Sequence, residues 1–397
     1  MAAELIVSVL PGERRAAVLR DDELDDLLIL RDGPSGEGGV PQAGDLFLAR
    51  VQRFDKGLDG AFVDLGLERP GLLPKREMTG DLPPEGTALV VKVLRAPADD
   101  KGARVSAKGM SATGVTAEAQ GLKAPARLAG GAGPLAGLVE RTKPRRVVCD
   151  DAALLKQMKD WAGGDCEAAL HSAATPLFEA EGLEAEVEAL LDPRSELPDG
   201  GFLLVEPGRT LTAIDVNAGR SDGRSGQAAQ AKAVNLAAVP AIARQLRLRA
   251  LSGLIVVDFL EMKSPDDRKA LAAALRRAVA DDPEPCQVFG VSPSGLLEMT
   301  RRRGRPPLHE LLCRPCGLGG SGREKTPETL AYEALRAIVA GVLGKAVAAV
   351  TLRAAPGVVA ALRGPQAEAL AAGERRLGRT VDIAADPLVA TYEVVLG

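Results

Sequence analysis

Apolar and polar positions alternate over residues 1–32. Glu4-Leu5-Ile6-Val7-Ser8-Val9, Ala16-Ala17-Val18-Leu19 and Leu27-Leu28-Ile29-Leu30 read as short strands. Gly33 to Gly44 is a Gly/Pro-rich linker. Strand-like runs follow at Leu46–Arg53, Gly60–Leu65, Thr87–Leu94 and Arg104–Ser106; short strands spaced by turns predict a small barrel of the OB type. Residues 121–137, rich in Gly, Ala and Pro, read as a second linker, and a mixed helix–strand segment runs from Arg145 to Asp192. Residues 201–312 read as an α/β block. A hairpin joins Phe202–Val205 to Leu211–Asn217, and a long helix spans about Gln227 to Arg249. Gly253 is its predicted stop, and Pro240 should kink or split it. A buried strand at Leu254–Phe259 and a helix at Arg268–Val279 complete the block. After a Gly-rich break at Gly317 to Arg323, a small α/β domain opens with a helix at Pro327–Val342.

A chain of 397 residues exceeds one ordinary core, and at ~150 residues per domain it predicts two or three. With 46% hydrophobic and 26% charged residues, wholesale disorder is excluded. No apolar run approaches the ~20 residues of a membrane helix. Glu4 and the polar Pro11-Gly12-Glu13-Arg14-Arg15 leave no signal-peptide pattern, so a cytoplasmic location is expected. Five cysteines, an odd number, argue against a disulfide framework. The net charge of −4 leaves a nucleic-acid partner open, because binding needs only a local basic surface. Two histidines, His171 and His309, are too few for multi-histidine metal sites, and 3% aromatics argue against a broad stacking platform.

Asp215 and Asn217 stand two apart on a predicted strand, so their side chains share a face. Asp258 ends a second strand. A lone carboxylate there most often caps the next element, but two of them flanking one helix in a strand–helix–strand unit meet at one sheet end if the strands are neighbours. Two carboxylates and an amide oxygen suit one Mg²⁺ that keeps several waters and takes a phosphate oxygen, a constellation for phosphodiester cleavage. Cys313-Arg314-Pro315-Cys316 supplies half of a tetrahedral zinc site, which a symmetric dimer would complete; a redox pair or two buried thiols are the alternatives. Cys149, Cys166 and Cys286 are scattered and read as structural. Arg244, Arg247 and Arg249, and Arg301, Arg302, Arg303 and Arg305, are either solvated helix faces or, near the carboxylates, contacts to RNA phosphates. Gly219-Arg220-Ser221-Asp222-Gly223 matches G-x-S-x-G, with Asp258 and His309 following in hydrolase order, but it lies in a long polar run and no oxyanion motif accompanies it. Gly131 to Ala136 resembles a dinucleotide loop, follows no convincing strand and contains Pro134.

Several blocks together resemble the ribonuclease E/G family. Thr212-Ala213-Ile214-Asp215-Val216-Asn217 is similar to its metal-site strand, and Ile242 to Arg249 to its connecting helix. Gly253 to Met262 is similar to its second carboxylate strand, and Gly295 to Arg301 to a further block before the CxxC. Ala49-Arg50-Val51, Gly60 to Gly66 and Gly71-Leu72-Leu73-Pro74 resemble the inserted S1-type RNA-binding barrel. The resemblance implies an α/β multidomain chain. Residues 1–35 and 115–198 would form an RNase H-like element, 36–114 the S1-type OB barrel, and 199–312 a DNase I-like catalytic subdomain. Residues 313–325 would form a zinc link and 326–397 a small dimerisation domain. It further implies a Mg²⁺-dependent endoribonuclease that cuts single-stranded RNA (ribosomal RNA precursors and messenger RNA) by metal-activated water, leaving 5′-phosphate and 3′-hydroxyl ends. Asp215 and Asp258 would hold Mg²⁺, with Asn217 supporting the attacking water or scissile phosphate. Cys313 and Cys316 would share Zn²⁺ between protomers of a homodimer, or of a tetramer. Phe62 and Lys101 would contact RNA, joined by Arg244, Arg247, Arg249 and Arg301. A catalytically weak RNA-binding protein on the same scaffold is the alternative.

The chain departs from the family in places. Leu72 replaces the second S1-type aromatic, and Ser292-Pro293-Ser294-Gly295 replaces a Ser-Arg-Phe-Gly stretch. The interval from Ser106 to Arg146 is short where the family builds a sensor for the RNA 5′-monophosphate. Gly137 to Thr142 resembles the sensor's Arg-Thr pair but reads as a surface helix end. No scaffold tail for a degradosome is expected.

Overall fold

A computed structural model describes residues 3–31, 41, 44–95, 97, 101–109, 122–128, 133–198, 200–219, 227–315, 322–342 and 347–397. The chain divides into two compact units: residues 1–21, 28–177 and 327–397 form the first, residues 22–27 and 178–326 the second.

The chain begins with three strands, β1 (Ala3–Leu10), β2 (Glu13–Arg20) and β3 (Glu23–Arg31), the first residues of β3 falling in the second unit. Pro11 and Gly12 make the turn between β1 and β2, since Leu10 pairs with Glu13. Gly12 is required there: its φ is +83°, and a Cβ would stand 2.7 Å from the Tyr332 hydroxyl. The chain then builds β4 (Leu46–Asp55), β5 (Gly60–Asp64), β6 (Gly71–Pro74), β7 (Ala88–Arg95) and β8 (Arg104–Ser106). Their order, β5-β6-β8-β7-β4, closes through a β4–β5 pairing into an OB-like five-stranded barrel. Alternate residues fill it, among them Phe47, Val51, Val63, Leu73, Val91 and Val105. A short strand β9 (Ala126–Leu128) adds to β4, packing Leu128 on Leu48 and Val90. The segment read as a second linker therefore supplies a strand; three residues amid Gly, Ala and Pro were too few to show a period.

Helix α1 (Pro134–Thr142), β10 (Arg146–Cys149), α2 (Ala152–Ala162) and β11 (Glu167–Leu170) return the chain to the first sheet, whose order is β11-β10-β1-β2-β3. β1 runs parallel to β10, and β10 to β11. As the central strand, β1 buries Leu5, Ile6 and Val7 in succession, the continuous apolar run of a strand covered on both faces.

In the second unit, α3 (Leu177–Ala180) and α4 (Leu183–Ala189) precede β12 (Arg194–Glu196), β13 (Phe202–Pro207) and β14 (Leu211–Asn217). Helix α5 (Gln227–Leu248) crosses over to β15 (Gly253–Asp258), followed by α6 (Pro265–Ala278), β16 (Cys286–Val291) and β17 (Leu297–Arg301). The sheet order is β12-β13-β14-β15-β17-β16. Inward residues of the sheet, such as Leu203, Ile214, Ile255 and Val257, pack with Ile242, Leu246, Leu271 and Leu275 of α5 and α6. Two sequence expectations change here. α5 continues through Pro240 as one helix and ends at Leu248; Ala250 (φ +52°) turns the chain out of it, and Gly253 (φ +85°) already starts β15. β15 is also not buried on both faces, because Leu254 is exposed while Ile255 and Val257 are buried. α7 (Leu308–Leu312) then leads to a hairpin of β18 (Cys313–Pro315) and β19 (Arg323–Lys325).

The remaining elements rejoin the first unit. α8 (Pro327–Val342), β20 (Val350–Ala354), α9 (Pro356–Arg363), α10 (Ala367–Leu377), β21 (Asp382–Ala385) and β22 (Tyr392–Leu396) share a core to which β1 adds Leu10. Among the described residues no helix is long and apolar enough to cross a membrane.

Candidate active site

β14 and β15 are adjacent and parallel, and Asp215 is the direct register partner of Asp258. The two carboxylates thus lie near the C-terminal ends of neighbouring strands about 4.8 Å apart, on one face of the sheet. Helix α5 makes the crossover between them, so the site stands where strand ends of an α/β unit gather. Both residues are exposed. Asn217, two residues past Asp215, donates from Nδ2 to Asp215 Oδ2 at 2.8 Å. Among the described residues no cation lies in an ion pair with either carboxylate.

Asn235, fully buried in α5, fixes the end of β15. Its Nδ2 donates to the Leu260 carbonyl (2.8 Å) and its Oδ1 accepts from the Leu260 N–H (3.0 Å). Sequence reasoning passed over it, because an Asn inside a helix carries no mark of the strand it serves. Phe202, the register partner of Asn217, was also passed over, as was Arg194, whose guanidinium carbon lies 3.8 Å from the Phe202 ring centroid.

The arginines expected to meet RNA lie elsewhere. Arg301 is 3% exposed; it ion-pairs with Asp282 at 2.8 Å and donates to the Leu251 carbonyl. Arg249 is 4% exposed, bonds Gln245 and the Asp192 carbonyl, and is pushed down to about 10 by burial, against which Asp192 acts. Both are corrections to the sequence reading, since a buried guanidinium cannot face a phosphate. Arg244 pairs with Glu23 and the Leu24 carbonyl, and Arg247 with Asp25, fastening the start of β3 within the second unit. Arg305 joins them through Asp26.

On the barrel, Phe62 is half-buried beside its register partner Leu72, and Arg53 lies over its ring, 4.5 Å from the centroid. Lys101 is exposed. Cys313 is half-buried at the base of the β18–β19 hairpin; Cys316 lies outside the described residues. Ser221 also lies outside them, as does most of the Gly33 to Gly44 linker. Burial pushes the Cys149 thiol up to about 12 and Cys286 to about 11, in keeping with structural thiols. Thr142 closes α1 by donating to its own helix at Leu138, a structural use of its hydroxyl.

A sheet that sets two carboxylates side by side at the ends of parallel strands defines an α/β protein with an acidic, amide-braced site. The profile of the Ribonuclease E/G family matches residues 117–304. Ribonuclease G of Salmonella typhimurium is 28% identical over 98% of both chains, and Ribonuclease G of Haemophilus influenzae 27% identical over 85% of this chain and 87% of its own. A chloroplastic Ribonuclease E/G-like protein of Arabidopsis thaliana is 39% identical over 40% of this chain and 16% of its own. The chain is thus similar to ribonuclease E/G proteins along nearly its whole length, with the family's own profile matching the part that carries Asp215 and Asp258. The Salmonella alignment runs over 483 positions against 397 residues here, so this chain lacks stretches that its relative has.

Proposed function

We propose that this endoribonuclease cuts single-stranded RNA at Asp215, Asn217 and Asp258 with the help of Mg²⁺. The observation that carries the reading is the Asp215–Asp258 register, with the Asn217 amide on Asp215. The donor set fits the ion. Two exposed carboxylates without a protein cation suit a hard divalent cation that keeps several waters, and no cluster of three or more His, Cys, Asp and Glu side chains that could hold a metal occurs among the described residues. Bound there, Mg²⁺ supplies phosphoryl polarisation and a more acidic water. Asp215 and Asp258 hold the ion. Asn217 fixes the Asp215 carboxylate through its N–H and keeps its carbonyl oxygen as an acceptor that orients the attacking water. Water as nucleophile spares the 2′-hydroxyl, so the products carry 5′-phosphate and 3′-hydroxyl ends. The substrates are ribosomal RNA precursors and messenger RNA.

Phe62 and Lys101 bind the RNA on the barrel. One stacking aromatic with Arg53 over it, and an aliphatic Leu72 beside it, gives a weaker grip than two stacked rings. Cys313 and Cys316 hold Zn²⁺ between two protomers; the CxxC spacing gives two of four thiolates, and a second copy supplies the others. Cys313→Ser is expected to lower the solution mass and the zinc content together.

The test is cleavage of one 5′-labelled single-stranded RNA by wild type and Asp215→Asn, with Mg²⁺ and with EDTA. Internal cuts that need the ion and fall at least about a hundredfold in the variant are expected. Near-wild-type cutting by Asp215→Asn at matched Mg²⁺ overturns the assignment. With the Thr142 hydroxyl spent within α1, RNAs with 5′-monophosphate and 5′-hydroxyl ends are expected to be cut at equal rates.

A further inference from the structure

The register of the second unit's sheet extends the site sideways. Arg194 pairs with Leu204, Leu204 with Asp215, and Asp215 with Asp258. Direct register partners point to the same face, so these four residues form one row across β12, β13, β14 and β15. Glu196, Phe202 and Asn217 form the next row on that face. Arg194 therefore stands on the catalytic face two strands from Asp215, a lateral span of about 10 Å.

Its setting holds it ready for an anion. The guanidinium lies over the Phe202 ring, which fixes its plane. Its Nε donates to Glu196 Oε1 at 2.6 Å, and the two terminal nitrogens have no protein partner among the described residues. The side chain is half exposed, and so is Glu196. An exposed pair of this kind is weakly held in water, so the carboxylate gives way easily to a phosphate that takes two N–H groups at once.

We propose that Arg194, held over Phe202, is a substrate-positioning residue that binds a backbone phosphate of single-stranded RNA one or two nucleotides from the scissile bond. The proposal rests on catalysis at Asp215 and Asp258. The test compares full-length wild type, Arg194→Gln and Arg194→Lys in steady-state cleavage with Mg²⁺, and in RNA binding with EDTA across a salt series. Arg194→Gln is expected to raise KM roughly fivefold to tenfold with kcat unchanged, and to reduce the salt slope of binding by about one. Arg194→Lys is expected to keep the slope and to recover KM in part, since it keeps the charge and loses the planar fork. Wild-type KM and slope in Arg194→Gln, or loss of the slope in Arg194→Lys, overturns the proposal. Asp215→Asn runs alongside. If it is inactive while Arg194→Gln behaves as wild type, the phosphate contact alone falls; if it still cuts, the catalytic placement falls and takes this contact with it.

Discussion

Arg301 and His309 show how single buried groups set the stability of the second unit. Asp282, which Arg301 pairs, has a fully buried side chain. Arg301→Ala would strand that carboxylate and is expected to cost about 3–5 kcal/mol, measured as a shift of the urea midpoint; replacing both partners by apolar residues should cost much less. For His309, burial first, and then Arg323, Arg249 and Arg303, push the imidazole down to about 4. The unfolded chain takes up this proton near pH 6.5 and the folded chain only near 4. Its contribution is therefore whole above pH 6.5 and is lost as pH falls towards 4. Wild type is expected to lose about 2 kcal/mol from this group between pH 6.5 and 5, and His309→Gln to lack that loss, both read from denaturation midpoints. These residues mark the limit of what the sequence displays. That Asp215, Asn217 and Asp258 come together was legible because a two-residue spacing and an apolar run ending in Asp are local facts. Which guanidinium turns inward is a property of packing, and so Arg249 and Arg301 were misjudged.

Among the elements, α5 does most for the site. It sets β14 beside β15, and Asn235 binds both backbone groups of Leu260, two residues beyond Asp258. Asn235→Ala would leave those groups unpaired, at about 1–3 kcal/mol, and loosen the end of β15. A fall in kcat with KM held is expected; an equal change in both would speak against a positioning role. The helix runs through Pro240, which is exposed, as is Leu236, the residue whose carbonyl a proline at this position leaves without an N–H. The barrel strands were readable from their alternation. Strand β9 and the β12–β13 pairing were not, because three-residue strands have no period and gain their meaning only from a neighbour.

Across the whole molecule, Glu13 is the hinge of the first unit's charge balance. Burial would raise its pKa, but Arg15, Arg336 and Arg31 outweigh it and hold the carboxyl at about 2. Its stabilisation is present above the ordinary value near 4.5 and is lost as pH falls from there to 2. Glu13→Gln is expected to cost about 3 kcal/mol in the melting of this unit at pH 7, and to remove that acid limb. Arg336 of α8 reaches Glu13 at 2.6 Å, and Tyr332 donates to the Gly12 carbonyl at 3.0 Å. Sequence alone set residues 326–397 apart as a domain; the shared core with Leu10 and these bonds bind them to the first hairpin instead.

That contact has a meaning in time. Glu13 and Arg336 are 323 residues apart in the chain. At about 5–20 residues per second, a ribosome that has made Glu13 needs roughly 15–65 seconds to make its partner. Throughout that interval the carboxylate waits without Arg336, while residues 178–326, which hold the whole sheet of Asp215 and Asp258, are synthesised. The sheet that carries Asp215 and Asp258 can thus form on a nascent chain before Glu13 has its Arg336 partner.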